Sequence, residues 1–241
     1  MTGLAVGDHV FALTGFDRDG AAADYAAVPA DVVAAKPARL DDVMSAALPL
    51  AALSAWQGLF DHGQLALGQR VLIQGAAGGV GHLATQLARW RGAYVIGTTS
   101  SGISEATADL GAHEVIDGTD AARTGSVAPV DLVFDTVGGE VLERAPAIVR
   151  EGGRLVSVAA EPPAIPEEMN ISTAYFVVEP DREQLGQIKR LAESSDLLPV
   201  IDSVYPIDDA PLAFRRSMAS GKRGKVVLRV AAEEALHGSS S

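Results

Sequence analysis

The sequence predicts an α/β protein with a doubly wound parallel sheet and a smaller β-rich part formed by the two chain ends. The first observation is a strand, a glycine turn, a helix and a second strand in direct succession over Arg70–Ser101. Its opening run Val71–Ile73 is wholly apolar, as in parallel strands that are buried on both faces. The second observation is that strand patterns at 113–117, 131–135 and 155–159 alternate with helical segments. Strands joined by helices run parallel, and the helices cover both faces of the sheet.

The turn after the first of these strands holds four glycines, Gly75, Gly78, Gly79 and Gly81. In the dinucleotide fingerprint G-x-G-x-x-G, Gly78 and Gly81 match, and Ala76 stands where the first glycine is expected. Gly78 would let the backbone approach a pyrophosphate, and Gly81 would let helix and strand pack closely. A glycine-rich turn without a ligand is the alternative interpretation. The flanking strand, helix and second strand favour a nucleotide site.

Composition limits the classes of partner. The chain has 241 residues, of which 48% are hydrophobic, enough for a sizeable core. Its net charge of −12 argues against a surface that neutralises nucleic-acid phosphates or anionic lipid, so we expect neither nucleic acid nor a membrane as partner. Because there is no cysteine, we expect no disulfide and no thiolate zinc ligand. No export signal or long apolar run is visible, which predicts a cytoplasmic enzyme.

Short β patterns at the two ends predict the smaller part of the fold. Gly7–Leu13 and Gly20–Val28 have strand character, and so few strands need a further layer to cover them. Near the other end, a helix over 207–219 separates strands predicted at 197–204 and 224–230, which we expect to return to the N-terminal part. The predicted division is a β-domain segment over 1–40, a nucleotide-binding domain over 41–180, a helix and return strands over 181–231 and a disordered tail over 232–241.

Further elements frame the central unit. Asp41–His62 predicts two short helices that meet near Pro49. A helix over 141–150 precedes a turn at Gly152 and Gly153. The branched and aromatic run Ile171–Glu179 predicts a sixth strand, and an amphipathic helix over 183–194 follows it.

Ligands of doubly wound sheets bind beyond the carboxyl ends of the strands. The residues predicted on that rim are Ser100, Thr136, Val137 and Ala159. Ser54, on the helix before the central unit, is a further candidate, with a plain helix hydroxyl bonded to a backbone carbonyl as the alternative. The five histidines show no metal-binding spacing, and the strand-end acids Asp117 and Asp135 are of a kind more often used in caps and turns. We therefore assign no metal ligand and no catalytic acid or nucleophile.

Six motifs together resemble the zinc-independent quinone oxidoreductase branch of the medium-chain dehydrogenase/reductase superfamily. They are LPLAALSAWQG (48–58), GAAGGVG (75–81), FDTVGG (134–139), GGRLVSV (152–158), YFVVE (175–179) and GKVVLRV (224–230). The resemblance implies hydride transfer between NADP(H) and a small-molecule electron acceptor, a quinone or another activated double bond. It also implies a Rossmann domain with a partial GroES-like β-domain formed by the two chain ends, and commonly a homodimer.

The resemblance also implies which residues bind the cofactor. Beyond the rim residues and Ser54, they are Ala77, Gly78, Gly79, Val80, Thr98, Ser101, Phe176, Val177, Val178 and Lys225, with 176–178 beside the nicotinamide. NADP(H) is expected over NAD(H), because no Asp or Glu lies between His82 and Ser104 to bind the ribose hydroxyls. Ser100 and Ser101 are expected to hydrogen-bond the 2′-phosphate.

Three features depart from the family pattern. Members carry a long stretch upstream of the residues that match Gly3–Leu13, so the chain is expected to be N-terminally incomplete and its activity impaired. NADPH-preferring members usually have a basic residue shortly after the second strand, where this chain has SSGIS (100–104). Gly118 stands where the family often has tyrosine. A non-catalytic nucleotide-binding or interaction protein is therefore the alternative to an oxidoreductase.

The sixth predicted strand is the expected dimer contact. The segment Ile171–Val178 carries no charge and is rich in apolar residues. A free apolar strand edge is a template for pairing, and a two-fold axis covers both copies at once. We expect a homodimer through 171–178.

Overall fold

The structure is a computed structural model and describes residues 3–99 and 104–230. These residues contain ten strands and eight α-helices. The strands are β1 (Val10–Ala12), β2 (Val33–Ala35), β3 (Arg70–Gln74), β4 (Tyr94–Thr99), β5 (Glu114–Asp117), β6 (Val130–Asp135), β7 (Val149–Ser157), β8 (Ser172–Tyr175), β9 (Ile201–Pro206) and β10 (Lys225–Arg229). The helices are α1 (Asp42–Ala46), α2 (Pro49–Trp56), α3 (Gly81–Trp90), α4 (Ser104–Ala108), α5 (Ala121–Gly125), α6 (Gly139–Arg144), α7 (Arg182–Ser194) and α8 (Ala210–Met218).

A six-stranded parallel sheet, in the order β5-β4-β3-β6-β7-β8, confirms the predicted doubly wound fold. Successive side chains of a strand point to opposite faces, and here both faces are buried. In β3, Val71 and Ile73 join one core cluster with residues of α2, α3 and α7, whereas Leu72 joins a second cluster with Leu142 of α6. The apolar runs of the sequence follow from this double coverage.

The order of the strands reverses between β3 and β6. From β3 the chain proceeds outward through β4 to β5, and then returns to add β6, β7 and β8 on the other side. At such a reversal the connections leave in opposite directions and open a crevice at the carboxyl ends of the strands. The glycine turn that follows β3 therefore lies at the position where ligands of these sheets bind.

Each chain end forms a two-stranded sheet of its own. β1 pairs with β2 in antiparallel fashion, and β9 pairs with β10 in parallel fashion. Helix α1 contacts both β1 and β10. The two ends thus meet at α1 rather than through a shared hydrogen-bonded ladder within the described residues. The division into a Rossmann part and a GroES-like part stays a prediction.

Several boundaries differ from the prediction. The prediction of a strand over Gly20–Val28 is wrong: the segment has bends at 21–24 and no regular secondary structure elsewhere, and Tyr25 is 93% exposed. The turn expected at Gly152 and Gly153 lies inside β7, where the register against β6 shifts. A bulge explains the two glycines, because a Cβ on Gly153 would lie 3.0 Å from the carbonyl oxygen of Asp131.

Other elements are confirmed with shifted ends. Helix α2 begins at Pro49, where the break was expected, and continues as a π-helix over Gln57–His62. The sixth strand is shorter than Ile171–Glu179, since β8 covers Ser172–Tyr175. The expected tail over 232–241 lies outside the described residues. In the part of the chain that is described, no helix has the length and apolar character needed to cross a membrane.

Candidate functional site

A cavity of about 670 Å³ lies at the carboxyl ends of β3, β4 and β6, in the crevice that the strand order opens. One wall is the glycine turn over 75–80 together with the ends of the strands, at Thr98, Thr99 and Thr136. The facing wall comes from the C-terminal return segment, defined here as residues 217–226. Two parts of the chain that are far apart in sequence therefore form one site.

The glycine turn is built so that backbone approaches backbone. Gly75 adopts a φ of +77°, and the main-chain N–H of Gly78 donates to its carbonyl oxygen at 2.8 Å. A Cβ on Gly81 would lie 2.0 Å from that same carbonyl oxygen, so no other residue fits there. This explains the mismatch with the fingerprint: Gly75 makes the tight turn, while Ala76 is fully buried.

Helix α3 starts at the floor of the cavity. Its N-cap residue, Val80, makes no side-chain capping hydrogen bond. The first turn of a helix presents unpaired N–H groups and the positive end of the helix dipole, which together favour an anion. Gly79 and Val80 line the cavity, and no hydrogen-bond partner is found for their main-chain N–H groups among the described residues, so an anion here would meet main-chain donors.

Two lysines of the return segment line the cavity, and one of them, Lys225, lies at this helix start. Lys225 approaches Gly79, where a Cβ would lie 3.4 Å from its Cδ and 3.8 Å from its Nζ. Burial lowers the pKa of Lys225, and the positive charge of Lys222 lowers it further. Among the described residues around the cavity, Lys222 and Lys225 are the charged ones and no carboxylate is present. The site has an excess of positive charge without a counter-ion from its own lining.

A buried histidine supports the glycine turn from behind. The Nδ1 of His82 lies 2.8 Å from the carbonyl oxygen of Gly78, which makes Nδ1 the protonated nitrogen, and the side chain is fully buried. Burial lowers the pKa of His82 to about 4, so the ring is neutral at pH 7. A neutral ring donates one hydrogen bond to the turn and adds no charge.

A carboxylate network shapes the loop after β6. Asp135 is fully buried and accepts hydrogen bonds from the main-chain N–H groups of Val137 and Gly138, each at 3.1 Å. The hydroxyl of Ser157 at the end of β7 donates to it at 2.7 Å. Asp135 therefore serves as a turn acceptor, the use that its strand-end position predicted, and it holds Val137 at the edge of the cavity.

The structure brings together just over half of the predicted site residues. The cavity is lined by Ala77, Gly78, Gly79, Val80, Thr98, Thr136, Val137 and Lys225. Ser54 lies elsewhere: it is buried in α2, and its hydroxyl donates to the carbonyl oxygen of Leu50 at 2.7 Å, which is the alternative stated for it. Ser100 and Ser101 lie outside the described residues.

The remaining predicted residues lie outside the cavity. Ala159 is exposed, and its main-chain N–H donates to the Ser157 hydroxyl at 3.1 Å. Phe176 stacks on His62, with ring centroids 4.3 Å apart, instead of facing the cavity. Val178 is buried and Val177 is 59% exposed. A role for 176–178 beside a nicotinamide stays a prediction.

Much of the facing wall of the cavity was not predicted from the sequence. Lys222 and most of the residues 217–221 line the cavity, as do Thr99, Gly118 and Thr119 at the ends of β4 and β5. The two Gly-Lys pairs of GKRGK (221–225) could have indicated it, because turns in which successive backbone N–H groups converge bind anions and the lysines add positive charge. Gly118, noted as a departure from the family, borders the same space.

Comparison with known proteins agrees with this architecture. A family model described as "Zinc-binding dehydrogenase" matches residues 110–228. The chain is 33% identical over 242 residues to the "Probable zinc-binding oxidoreductase, mitochondrial" of Arthroderma benhamiae, covering 93% of this chain and 73% of that protein. The chain belongs to the medium-chain dehydrogenase/reductase family. It is also 36% identical over 240 residues to the 2-methylene-furan-3-one reductase of Solanum lycopersicum, covering 95% of this chain and 59% of that protein.

Solved structures of family members superimpose closely. The quinone oxidoreductase from Coxiella burnetii has a TM-score of 0.86 at 30% identity, covering 95% of this chain and 74% of that one. The quinone oxidoreductase from Thermus thermophilus has a TM-score of 0.81 at 30% identity, and the match covers 95% of this chain and 79% of that one. That protein has also been solved in complex with NADPH. This member of the dehydrogenase/reductase family therefore shares the fold of quinone oxidoreductases over nearly its whole length.

Proposed function

We propose that this family member is an NADP(H)-dependent oxidoreductase that transfers hydride to a quinone or another activated double bond. The observation that carries the proposal is the cavity in which an uncapped helix start and glycine turn face two lysines, with no carboxylate among the described lining residues. Main-chain donors and cations on opposite walls suit a pyrophosphate. The NADPH complex of the Thermus thermophilus protein supports the same cofactor class.

The residues present fit such a dinucleotide. N–H groups at the start of α3 and the ammonium of Lys225 would hold the pyrophosphate, and Thr136 and Val137 border the space beyond it. The hydroxyl of Thr136 donates to the carbonyl oxygen of Gln74 at 2.7 Å, which fixes that border. When bound, the reduced nicotinamide supplies the hydride. The protein binds and orients the cofactor and the acceptor and excludes water from between them.

NADP(H) is favoured over NAD(H) because the ribose end of the cavity offers no carboxylate among the described residues. Thr98, Thr99, Gly118 and Thr119 line the ends of β4 and β5. Asp117, the nearest acid in sequence, is engaged instead by the hydroxyl and main-chain N–H of Thr119 at 2.7 and 2.9 Å, which lower its pKa. An NAD-specific site would place an acid on the ribose hydroxyls.

A zinc-independent mechanism is part of the proposal. The sequence has no cysteine. Among residues 3–99 and 104–230, no group of three or more His, Asp or Glu side chains comes together as a metal site. The cytoplasmic location stays a prediction, since the Arthroderma benhamiae relative is named as mitochondrial.

A second candidate is a protein that binds the nucleotide without turnover. Val137 and Val177 are 52% and 59% exposed, so the described residues leave the expected reaction face in contact with water. Both candidates require nucleotide binding, and they differ in catalysis.

Calorimetric titration with NADPH and NADH, followed by NADPH oxidation with a panel of small quinones, tests the proposal. We expect NADPH to bind more tightly than NADH. Turnover of any quinone above the protein-free rate supports the oxidoreductase. Tighter binding of NADH would contradict the cofactor assignment, and no binding of either nucleotide would contradict both candidates.

We also propose that the protein is a homodimer through residues 171–178. β8 is the edge strand of the central sheet, and its residues Ser172, Thr173 and Tyr175 are exposed. An edge strand leaves one row of N–H and C=O groups without a ladder partner. Pairing of two such edges about a two-fold axis would extend the sheet through both copies.

A further inference from the structure

We propose that Lys222, in the C-terminal return segment, is the specificity-determining residue that binds the 2′-phosphate of NADPH. The inference rests on the proposed function and deepens it. The position after β4 that commonly carries a cation has only serines in this sequence, at 100 and 101. A dianionic phosphate held without any cation would gain little over bulk water, so a cation from another element is needed to give strong preference.

The two lysines of the cavity have different surroundings. Lys225 lies against Gly79 at the glycine turn, and the main-chain N–H of the preceding Gly224 donates to the carbonyl oxygen of Ala77 at 2.9 Å. This backbone contact ties Lys225 to the turn where the pyrophosphate is expected. Lys222 has no such tie to the turn, and its Nζ donates to the carbonyl oxygen of Ser217. It is therefore the cation that remains, among the described lining residues, for a second phosphate group.

The stretch that carries Lys222 is held in place on both sides. Before it, Ser217 lies in the last turn of α8 and accepts the Lys222 hydrogen bond. After it, the main-chain N–H of Arg223 donates to Asp202 at 3.1 Å. The side chain of Asp202 is only 5% exposed and pairs with Arg216, which donates from Nε at 2.7 Å. A cation on an anchored loop loses less entropy on binding than one on a free loop.

An unpaired hydroxyl lies on the opposite wall. Thr99, the last residue of β4, lines the cavity, and its Oγ1 is buried without a hydrogen-bond partner. A buried hydroxyl without a partner is costly, and a ligand oxygen would satisfy it. Thr99 is at the strand end where dinucleotide folds place the ribose. Lys222 and Thr99 thus offer a cation and a hydroxyl from two sides of one cavity.

The two lysines of the cavity repel each other. Lys222 lowers the pKa of Lys225 through its positive charge, so the two ammonium groups act on each other. A ligand with phosphates at two positions relieves this repulsion, whereas NADH brings only its pyrophosphate. Lys225 meets the pyrophosphate that both dinucleotides carry, so selectivity for NADP(H) follows from Lys222.

The test compares Lys222→Gln, Lys225→Gln and the control Arg215→Gln, which removes the same charge from an exposed position on α8. Binding of NADPH, NADH, adenosine 2′,5′-bisphosphate and 5′-AMP is measured by calorimetry, with thermal melts to verify folding. Loss of a charge-assisted hydrogen bond is worth about 10- to 100-fold in affinity. We expect Lys222→Gln to weaken NADPH and the bisphosphate by about that factor and to leave NADH and 5′-AMP within about twofold. Lys225→Gln should weaken all four.

Equal weakening of all four ligands by Lys222→Gln, or no weakening, would overturn the assignment while leaving the proposed function intact. Restored NADPH affinity in Lys222→Arg would support a role for the charge. If the unaltered chain binds neither dinucleotide, the proposed function itself fails, and the assignment fails with it. If Arg215→Gln lowers NADPH affinity as much as Lys222→Gln, the effect is general electrostatics and the assignment is wrong.

Discussion

The main-chain N–H of Gly224 donates a 2.9 Å hydrogen bond to the carbonyl oxygen of Ala77, which joins the C-terminal return segment to the glycine turn. Gly224 has a φ of +76°, and a Cβ there would lie 2.1 Å from the carbonyl oxygen of Val200. The position therefore accepts only glycine. Through this contact, the two walls of the cavity are fixed relative to each other, and Lys225 is held over Gly79.

The first prediction compares two glycine substitutions. Gly81→Ala places a Cβ 2.0 Å from the carbonyl oxygen of Gly75, a backbone atom that cannot move aside as the end of a flexible side chain could. We expect a loss of about 1–3 kcal/mol or more in the free energy of unfolding, as for other overpacked sites, together with loss of nucleotide binding. Gly186→Ala, in α7 with open space around it, is the matched control and should gain about 0.5–1 kcal/mol. Denaturant unfolding of the two variants measures both effects, and a stable Gly81→Ala protein would contradict the turn geometry.

The second prediction concerns His82 and pH. Its pKa in the folded protein is lowered to about 4 by burial, below the ordinary value of 6.5, so the unfolded state binds a proton first as pH falls. The contribution of His82 is present above pH 6.5 and is lost as pH falls toward 4, by up to about 3 kcal/mol. His82→Asn keeps a donor for Gly78 but cannot titrate, so its unfolding free energy should decline less over this range. His9→Asn, at an exposed position, is the control and should behave like the unaltered protein.

The parts of the fold and of the site that could be predicted from the sequence are those whose residues lie close together along the chain. The unit from β3 to β4 was predictable because Val71–Ile73, the glycines and the helix pattern are close together in the sequence. The return segment was predicted as helix and strand, but its place opposite the glycine turn depends on long-range packing. No local pattern indicates that Lys222 and Gly79 border one cavity.

The wrong predictions also concern features that depend on contacts between distant parts of the chain. Gly20–Val28 has residues that a strand tolerates, yet a strand forms only where a partner offers hydrogen bonds, and the described structure places none beside it. Gly152 and Gly153 were expected to form a turn because glycine pairs usually do. Here β6 pairs with β7 both before the bulge, at Val149, and after it, from Arg154 onward, so the strand continues through the two glycines. Ser54 satisfies its hydroxyl within α2, which the sequence left as an even alternative.

The third prediction tests the dimer. Val177→Lys places a charge beside the edge strand, where Val177 is 59% exposed and Tyr175 is 40% exposed. Desolvation of a buried lysine without a partner is costly, so the variant should be monomeric. Light scattering at micromolar concentration measures the mass. Leu212→Lys, on the exposed side of α8, is the control and should leave the dimer intact. A monomeric mass for the unaltered chain would rule the dimer out.

The last prediction is that this chain binds NADPH more readily than it turns over a quinone. Hydride transfer needs donor and acceptor held in contact in a water-poor cleft, and such positioning supplies about 7–11 kcal/mol of the barrier. Val137, at the edge of the cavity, and Val177, predicted to lie beside the nicotinamide, are more than half exposed, so the described residues do not shield them from water. Loss of even the lower figure slows turnover by about five orders of magnitude, because each 1.36 kcal/mol is about tenfold.

The assay is NADPH oxidation with small quinones, run on this chain and on an extended fusion that adds the part of the Arthroderma benhamiae protein that this chain does not cover. The chain spans 73% of the Arthroderma benhamiae protein, so the comparison measures what the additional length of a relative contributes. We expect similar NADPH affinity in both versions, since both walls of the cavity come from the described residues, and much faster turnover in the extended one. Comparable turnover would show that Val137 and Val177 do not mark an open reaction face.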